Sequence, residues 1–405
     1  MKLRFKLNVL YVIHYPFFGG PQNQALRLAR PLTTRGVATV VVLPDEPGNA
    51  AERLRAAEVD VVSLPLHRLR AVPAPLLQMR FLAGIPGEVA ALRRLIRERS
   101  IDVVQVGGLV NPHAAIAARI EGAGVVWQLL DTRAPMMLRR LLMPWVIALA
   151  DVVMTTGTGV AQVHPGVSAL GSRLVPFYPP VDTSVFTPDP RHRASARAEF
   201  GVPPGGLLVG TVANLNPQKG LEHFVAVAEA LHARRADIQF VILGSAMETQ
   251  EAYEATIRRS VEVSAAGRAC ALRIIDPGER VSELVPGFDL FLLTSVPRSE
   301  GVSTTVLEAM ASGVPVVSTN VGALSEVIMD GVTGRLVAPL DDDAFVEVAS
   351  VLLGDADARA RMGVEARLRA VKLYDVEVSA DAHLRAYERA AARAERRRRS
   401  GRTRP

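Results

Sequence analysis

Short, wholly apolar runs alternate with helix-periodic segments along most of this 405-residue chain, and nothing else restricts its fold as strongly. Lys6–Ile13, Ala38–Leu43, Asp60–Pro65, Val103–Val106 and Val125–Leu130 read as strands buried on both faces. Between them, Gln22–Arg35 and Gly87–Arg99 repeat apolar residues at helical spacing. A second series runs through Leu207–Ala213, Gln239–Leu243, Leu272–Ile275, Leu290–Thr294 and Pro315–Ser318. Repeated strand–helix units predict an α/β chain of two doubly wound domains, each on a parallel sheet. The division is expected near Val175–Pro190, where Pro176, Pro179, Pro180, Pro188 and Pro190 make a stiff, extended connector. Ligands of such sheets bind at the carboxyl ends of strands, so site residues are sought there.

Composition excludes several classes. A single cysteine, Cys270, rules out an internal disulfide framework and suits a reducing compartment. The apolar run Leu7–Ile13 after the basic start is short and lacks a small-residue cleavage site, so no signal peptide is expected. Leu141–Met154 carries Pro144 and Asp151 and falls well short of the roughly 20 residues of a membrane span. These readings predict a cytoplasmic protein. Residues 393–405 hold seven arginines and one glutamate and so account for the whole net charge of +6. A neutral remainder argues against a nucleic-acid face built into the fold. The tail is expected to be disordered, and its charge fits solubility or attraction to anionic lipid. Leu66–Arg99 sets His67, Arg68, Arg70 and Arg80 among Leu69, Val72, Leu76 and Phe81, and Arg133–Met143 repeats that mixture. Such stretches fit either peripheral docking on an anionic membrane or packed helices with solvated arginine heads.

The richest local pattern lies between Leu293 and Pro339. Glu300 and Glu308 stand eight positions apart, the first at a strand end and the second in the first turns of a helix. Thr305-Val-Leu-Glu308 also fits a capping box with Thr305 as N-cap. Backbone N–H groups at that helix start, with Gly301, Val302, Ser303 and Thr304 leading in, would suit a phosphate. The full run Ser299-Glu-Gly-x5-Leu-Glu-Ala-Met-Ala-x-Gly-x-Pro-Val-Val, then Val321–Glu326 and Asp330–Gly334, resembles the retaining nucleotide-sugar glycosyltransferases of family 4, which have the GT-B fold. The resemblance covers essentially residues 7–390.

Several expectations follow from that resemblance. Two Rossmann-like domains would face each other across a cleft, residues 1–180 on the acceptor side and 181–375 binding the donor. A helix at 376–392 would cross back to the first domain, ahead of a tail at 393–405. The enzyme would be a hexosyl transferase moving a sugar from a nucleotide-sugar donor to a glycan or lipid-linked acceptor hydroxyl. Bacterial surface polysaccharide or glycolipid assembly is the implied setting. Glu308 would hold the ribose hydroxyls, while Glu300 contacts the sugar and stabilises an oxocarbenium-like transition state. Front-face attack would need no covalent nucleophile, and neither metal nor cofactor is implied. Gly19 and Gly20, ahead of Pro21, would let backbone approach a phosphate. Lys219, in Asn214-Leu-Asn-Pro-Gln-Lys-Gly, would offset diphosphate charge on departure. Glu326 would be a supporting acid.

The chain departs from the family pattern in places. Asn214 replaces a usual arginine, removing one cation, and Gln105 and Leu130 stand where histidines are common. Asp131 and His113 remain as acceptor-side candidates. These departures keep open a non-catalytic GT-B subunit that binds donor or scaffolds a partner. A GT-B sugar-nucleotide epimerase would need further acid–base groups near the sugar, and no such cluster is evident. The first strand is not followed by Gly-x-Gly-x-x-Gly, which argues against a nicotinamide dehydrogenase. Asp341-Asp-Asp343 opens a helix at Ala344–Leu353, where acids favour the dipole, and is read as a cap rather than a metal site.

Overall fold

A computed structural model describes residues 6–67, 75–130, 132, 134–245, 250–297 and 300–402. The chain divides into two compact units, with boundaries at Pro180/Val181 and Asp375/Val376. The first boundary lies within the proline-rich stretch.

The first unit carries β1 (Leu7–Val12), β2 (Val37–Pro44), β3 (Asp60–Leu64), β4 (Val103–Gly107), β5 (Gly124–Leu129), β6 (Val152–Thr156) and β7 (Leu174–Phe177). Its helices are α1 (Gly20–Thr34), α2 (Ala50–Ala56), α3 (Pro75–Glu98), α4 (Pro112–Glu121), α5 (Met136–Leu149) and α6 (Gly157–Gln162). All seven strands pair in parallel in the order β3-β2-β1-β4-β5-β6-β7. Leu10, Val12, Val104 and Val106 face α3, α4 and α5, whereas Val9, Val103 and Val126 face the other way, against α1. Both faces are covered, which is why the strands lack polar alternation.

Two strands of this sheet lie outside the runs read from sequence. The Leu141–Met154 run contains the end of α5 and most of β6, split at Ala150-Asp151. The Asp151 carboxylate accepts from Val125 N–H at 2.9 Å and pairs with Arg397, which satisfies a charge at the sheet's end. Strand β7 enters the proline-rich connector; Pro176 is tolerated because β7 is an edge strand.

The second unit carries β8 (Leu207–Val212), β9 (Ile238–Leu243), β10 (Leu272–Ile275), β11 (Leu290–Leu293), β12 (Val316–Thr319) and β13 (Gly334–Val337), in the order β10-β9-β8-β11-β12-β13. Its helices are α7 (Pro190–Glu199), α8 (Leu221–Arg234), α9 (Glu251–Val263), α10 (Ala265–Arg268), α11 (Val281–Leu284), α12 (Thr304–Ala311), α13 (Leu324–Val327), α14 (Asp342–Gly354) and α15 (Ala356–Leu373). Helices α8, α9 and α14 cover one face through Phe224, Leu231, Ile257, Phe345 and Leu352. The strand order reverses between β8 and β11, and a doubly wound sheet binds ligands at such a switch point. Asp341 caps α14, its Oδ1 accepting from Ala344 N–H at 3.0 Å, which accounts for the acidic run.

The chain then returns to the first unit as α16 (Val376–Arg402), which lies on β5 beside α1 and buries Ala380, Ala386, Tyr387 and Ala390. Here the structure corrects the sequence reading: Arg393–Arg402 continues the helix, where a disordered tail was expected. Arginine is a good helix former, Glu395 and Arg399 pair one turn apart, and Arg397 is held by Asp151 and by the Ala123 carbonyl.

Candidate functional site

In the second unit the candidate residues gather at the carboxyl edge of β8, β11 and β12. After β8 the chain passes exposed Asn214 and turns at Asn216, whose Oδ1 accepts from Gln218 N–H at 3.0 Å. Gly220 then adopts φ +56, and a Cβ there would lie 2.3 Å from the Thr294 carbonyl oxygen. The loop after β11 clamps this turn. Thr294 Oγ1 donates to the Gly220 carbonyl at 2.9 Å, and Val296 N–H donates to Gln218 O at 3.1 Å. These tethers bring Lys219 Nζ to 2.6 Å from Glu300 Oε1, with both side chains mostly buried. Ser295 Oγ donates to the same oxygen at 2.8 Å, and Thr319 Oγ1 in turn holds the Ser295 carbonyl at 2.7 Å.

Glu300 is also fixed from behind. Gly322, at φ +62, passes so close that a Cβ would lie 2.4 Å from Gly301 O and 2.6 Å from Glu300 O. Ala323 N–H donates to Gly301 O at 2.8 Å. Only glycine allows both the positive φ and that approach. Glu326 lies on α13 just beyond, and its backbone carbonyl accepts from Arg369 at 2.7 Å.

Helix α12 starts two residues earlier than the capping-box reading requires. Its N-cap is Ser303, without a side-chain cap bond, and Thr305 is already helical. The first N–H groups of a helix have no carbonyl partner within it, so Thr304, Thr305 and Val306 direct theirs out of the N-terminus. Glu308, one turn further on, is 5% exposed. Gly301, Val302 and Ser303 are buried as they lead into the helix. A buried loop, a helix N-terminus and two carboxylates thus lie within a few residues of sequence, and the fold brings one cation, Lys219, to the first of those carboxylates. Such a set can hold an anionic diphosphate beside hydroxyl groups.

In the first unit, Gly19 is the N-cap of α1 in an extended conformation, and Gln22 Oε1 accepts its N–H at 3.2 Å. A Cβ on Gly20 would meet nothing within 4 Å, so that glycine leaves open space rather than relieving strain. Asp131 lies outside the described residues, as do Arg68, Arg70, Val72, Arg133 and Ser299; the Arg80 and Phe81 side chains are likewise outside. His113 is placed on the first turn of α4 but is fully buried. Its Nε2 lies 3.5 Å from Glu88 Oε2, and its ring stacks edge-on against His14 at 5.0 Å. Burial pulls the His113 pKa down, opposed by the Glu88 charge. Glu88 also accepts from His67 N–H at 2.8 Å and sits 2.7 Å from His67 Nδ1. His14, directly after β1, was not singled out from the sequence, although a histidine at a strand end is a signal that could have found it; Glu88, mid-helix, carries no such signal.

Gln105 and Gln128 lie in a buried polar network on the α1/α16 face. Tyr387 donates to Gln105 Oε1, and Tyr11 donates to Gln128 Oε1 at 3.1 Å. His383 Nδ1 donates to the Ser379 carbonyl at 2.7 Å, leaving Nε2 to accept from the Gln24 and Gln128 amides at 3.0 and 3.1 Å. Among the described residues no cluster of three His, Cys, Asp or Glu side chains could hold a metal ion.

Residues 19–164 match the family model described as glycosyl transferase 4-like domain, and residues 206–355 match that described as glycosyl transferases group 1. The lipopolysaccharide core biosynthesis mannosyltransferase LpsB of Rhizobium meliloti is 32% identical over 210 residues, 51% of this chain and 58% of that protein. A GDP-mannose-dependent α-(1-6)-phosphatidylinositol monomannoside mannosyltransferase of Mycolicibacterium smegmatis is 29% identical over 70% of this chain and 75% of its own. The chain spans about half the length of most curated relatives it matches. Among solved structures, Anabaena HepE in complex with UDP superposes with a TM-score of 0.78 at 19% identity, covering 94% of this chain and all of that one. That likeness identifies the two parallel-sheet units as the GT-B architecture.

Proposed function

We propose that this chain, which carries a glycosyl transferase 4-like domain followed by a group 1 domain, is a retaining glycosyltransferase that moves a hexose from a nucleotide-sugar donor to an acceptor hydroxyl. The observation that carries this reading is the Lys219–Glu300 pair at the β8/β11 edge, beside the N-terminus of α12 and the buried Glu308. A donor diphosphate would compete with Glu300 for Lys219 and accept from the α12 N–H groups. Glu300, drawn off its cation but still held by Ser295, would then turn to the hexose hydroxyls and to positive charge developing at the anomeric carbon. Glu308 would take the ribose hydroxyls. Lys219 with a helix N-terminus supplies the positive charge that phosphate departure needs, so the reaction is proposed to run without a metal or other cofactor. The activities for which the Rhizobium and Mycolicibacterium relatives are named support a glycan or lipid-linked acceptor, in bacterial surface polysaccharide or glycolipid biosynthesis.

The base is open between the families' donors, since one relative is GDP-mannose-dependent and the superposed structure holds UDP. Calorimetry with UDP- and GDP-hexoses is therefore the first test, repeated with Glu308→Ala. One donor should bind, and the variant should bind it roughly ten- to a hundredfold more weakly, as expected for losing hydrogen bonds to a charged group. Equal binding by the variant would remove Glu308 from the site.

Two observations favour a second reading, a non-catalytic donor-binding subunit. Asn214 carries no charge where a cation is usual, and the Gln105 side chain is committed to Tyr387. Donor hydrolysis or transfer by the purified protein excludes that reading. Donor binding without any turnover, tested with lipid and glycan acceptors, would favour it.

A further inference from the structure

Helix α5 leaves one face uncovered. Met137, Leu141 and Trp145, four residues apart, are 83%, 66% and 52% exposed, and Met136 beside them is 44% exposed. Side chains at that spacing form a single row along a helix, and large apolar groups in a continuous row are uncommon on a soluble surface. Charge around the row has one sign. Between Pro135 and Ala150 there is no acidic residue, and exposed Arg140 lies on the same side as Met137 and Leu141.

The C-terminal end of α5 meets the arginine-rich end of α16. Arg119 of α4 donates to the Ala148 carbonyl of α5 at 2.9 Å. Arg397 pairs with Asp151, two residues beyond the end of α5, and Arg398 packs its stem against Gly122. Exposed Arg396, Arg398 and Arg399 are therefore gathered at this same end of the unit. The acids there, Glu121, Asp151 and Glu395, are each engaged by an arginine. By contrast, the exposed row Val364, Leu368 and Val371 on α15 is interleaved with charges of both signs, Glu365 and Lys372.

We propose that the first unit docks on an anionic lipid bilayer surface through the exposed face of α5, with the arginines at the end of α16 drawing it there. The match is chemical on both counts. A row of Met, Leu and Trp suits the boundary between headgroups and acyl chains, where tryptophan is favoured. Arginines without nearby spare acid suit anionic headgroups and repel a basic protein partner. No described helix is long and apolar enough to cross a membrane, so such attachment would be peripheral. The docking stands on the surface of α5 and α16 alone; its link to a lipid-linked acceptor rests on the transferase reading above.

The test uses the full chain with phosphatidylcholine vesicles, with and without phosphatidylglycerol. The protein has two tryptophans, and Trp127 is buried, so a change in emission reports Trp145. Expected are pelleting with the anionic vesicles that weakens with salt, a blue shift of emission, and quenching by lipids brominated in the acyl chains. The double variant Met137→Glu, Leu141→Glu should lose about tenfold or more of its partitioning, since each side chain would forfeit its apolar transfer. Both positions are exposed, so its melting temperature should hold. Arg396→Gln with Arg398→Gln should lower affinity several-fold and flatten the salt dependence. Pelleting with unchanged Trp145 emission would overturn the proposal, as would wild-type pelleting by the double variant or no pelleting at all. So would a dimer in solution that covers Trp145 without binding vesicles. Donor calorimetry on the double variant separates the two claims: retained donor binding with lost pelleting leaves the transferase reading intact.

Discussion

His383 shows how a single buried side chain ties pH to stability here. Complete burial pushes its pKa down from about 6.5 to about 4, opposed by the Ser379 carbonyl that accepts from Nδ1. The groups around it are Gln24, Gln128, Tyr11 and Tyr387, and burial raises the pKa of both tyrosines, so all stay neutral. The unfolded chain takes up a proton as pH falls through about 6.5, whereas the folded chain takes it up only near 4. Stability from this group is therefore fully present above about 6.5 and is lost as pH falls toward 4, by roughly 3 kcal/mol. Urea unfolding at pH 7 and at pH 4.5 should show that loss, and His383→Gln should remove about that amount, leaving the share of His113, whose pKa burial also lowers. An equal pH dependence in the variant would mean that another group carries it. The same network explains why Gln105 is no replacement for an acceptor-side histidine: its side chain is spent on Tyr387 on the α1/α16 face.

Among the elements, the strands at the centre of each sheet were readable in the sequence because both their faces are buried. Edge strands β3 and β10 were readable too, as Asp60–Pro65 and Leu272–Ile275, but β6, β7 and β13 were not. Strand β6 runs on from α5 across only two residues, so the apolar run shows no break; β7 is crossed by Pro176, and β13 is four residues opened by Gly334. At the candidate site, Glu300, Glu308 and Lys219 were picked out through the family resemblance, but the clamps that place them were not. Thr294, Ser295 and Gly322 act through folding contacts that no local pattern encodes. Helix α16 is the element where tertiary contact decides most. Read alone, Arg393–Arg402 is a charge run, yet Asp151 and the Ala123 carbonyl fix it. Close packing continues at Gly124, where a Cβ would lie 2.7 Å from the Ala390 carbonyl carbon and 2.8 Å from its oxygen. Gly124→Ala must push α16 off β5, with a cost of about 1–3 kcal/mol. Its melting temperature should drop by several degrees, while Gly87→Ala, which meets nothing within 4 Å, should not lower it.

At the scale of the whole molecule the two units differ in how the chain builds them. The second is one continuous stretch, Val181–Asp375, with its own core around Phe224, Phe240 and Phe345. The first is split, and its α1/α16 face is finished only by the last helix, which covers Val9, Val103, Val126 and Phe177 with Ala380, Tyr387 and Ala390. Burying each large apolar side chain is worth roughly 1.5–3 kcal/mol, so uncovering several of them removes an amount comparable to a domain's whole stability of about 5–15 kcal/mol. Expressed alone, residues 181–375 should unfold in one cooperative transition. Residues 1–180 alone should aggregate or stay molten, and joining residues 376–402 to them through a flexible linker should restore a sharp transition. A cooperative melt from residues 1–180 without α16 would show that this helix is an addition to a finished domain. The residues proposed to hold the donor, Lys219, Glu300 and Glu308, all belong to the continuous unit. That fragment should therefore still bind the nucleotide part of the donor. Calorimetry of the fragment with the nucleoside diphosphate measures that binding directly, and a fragment that folds but binds no nucleotide would move the recognition out of the second unit.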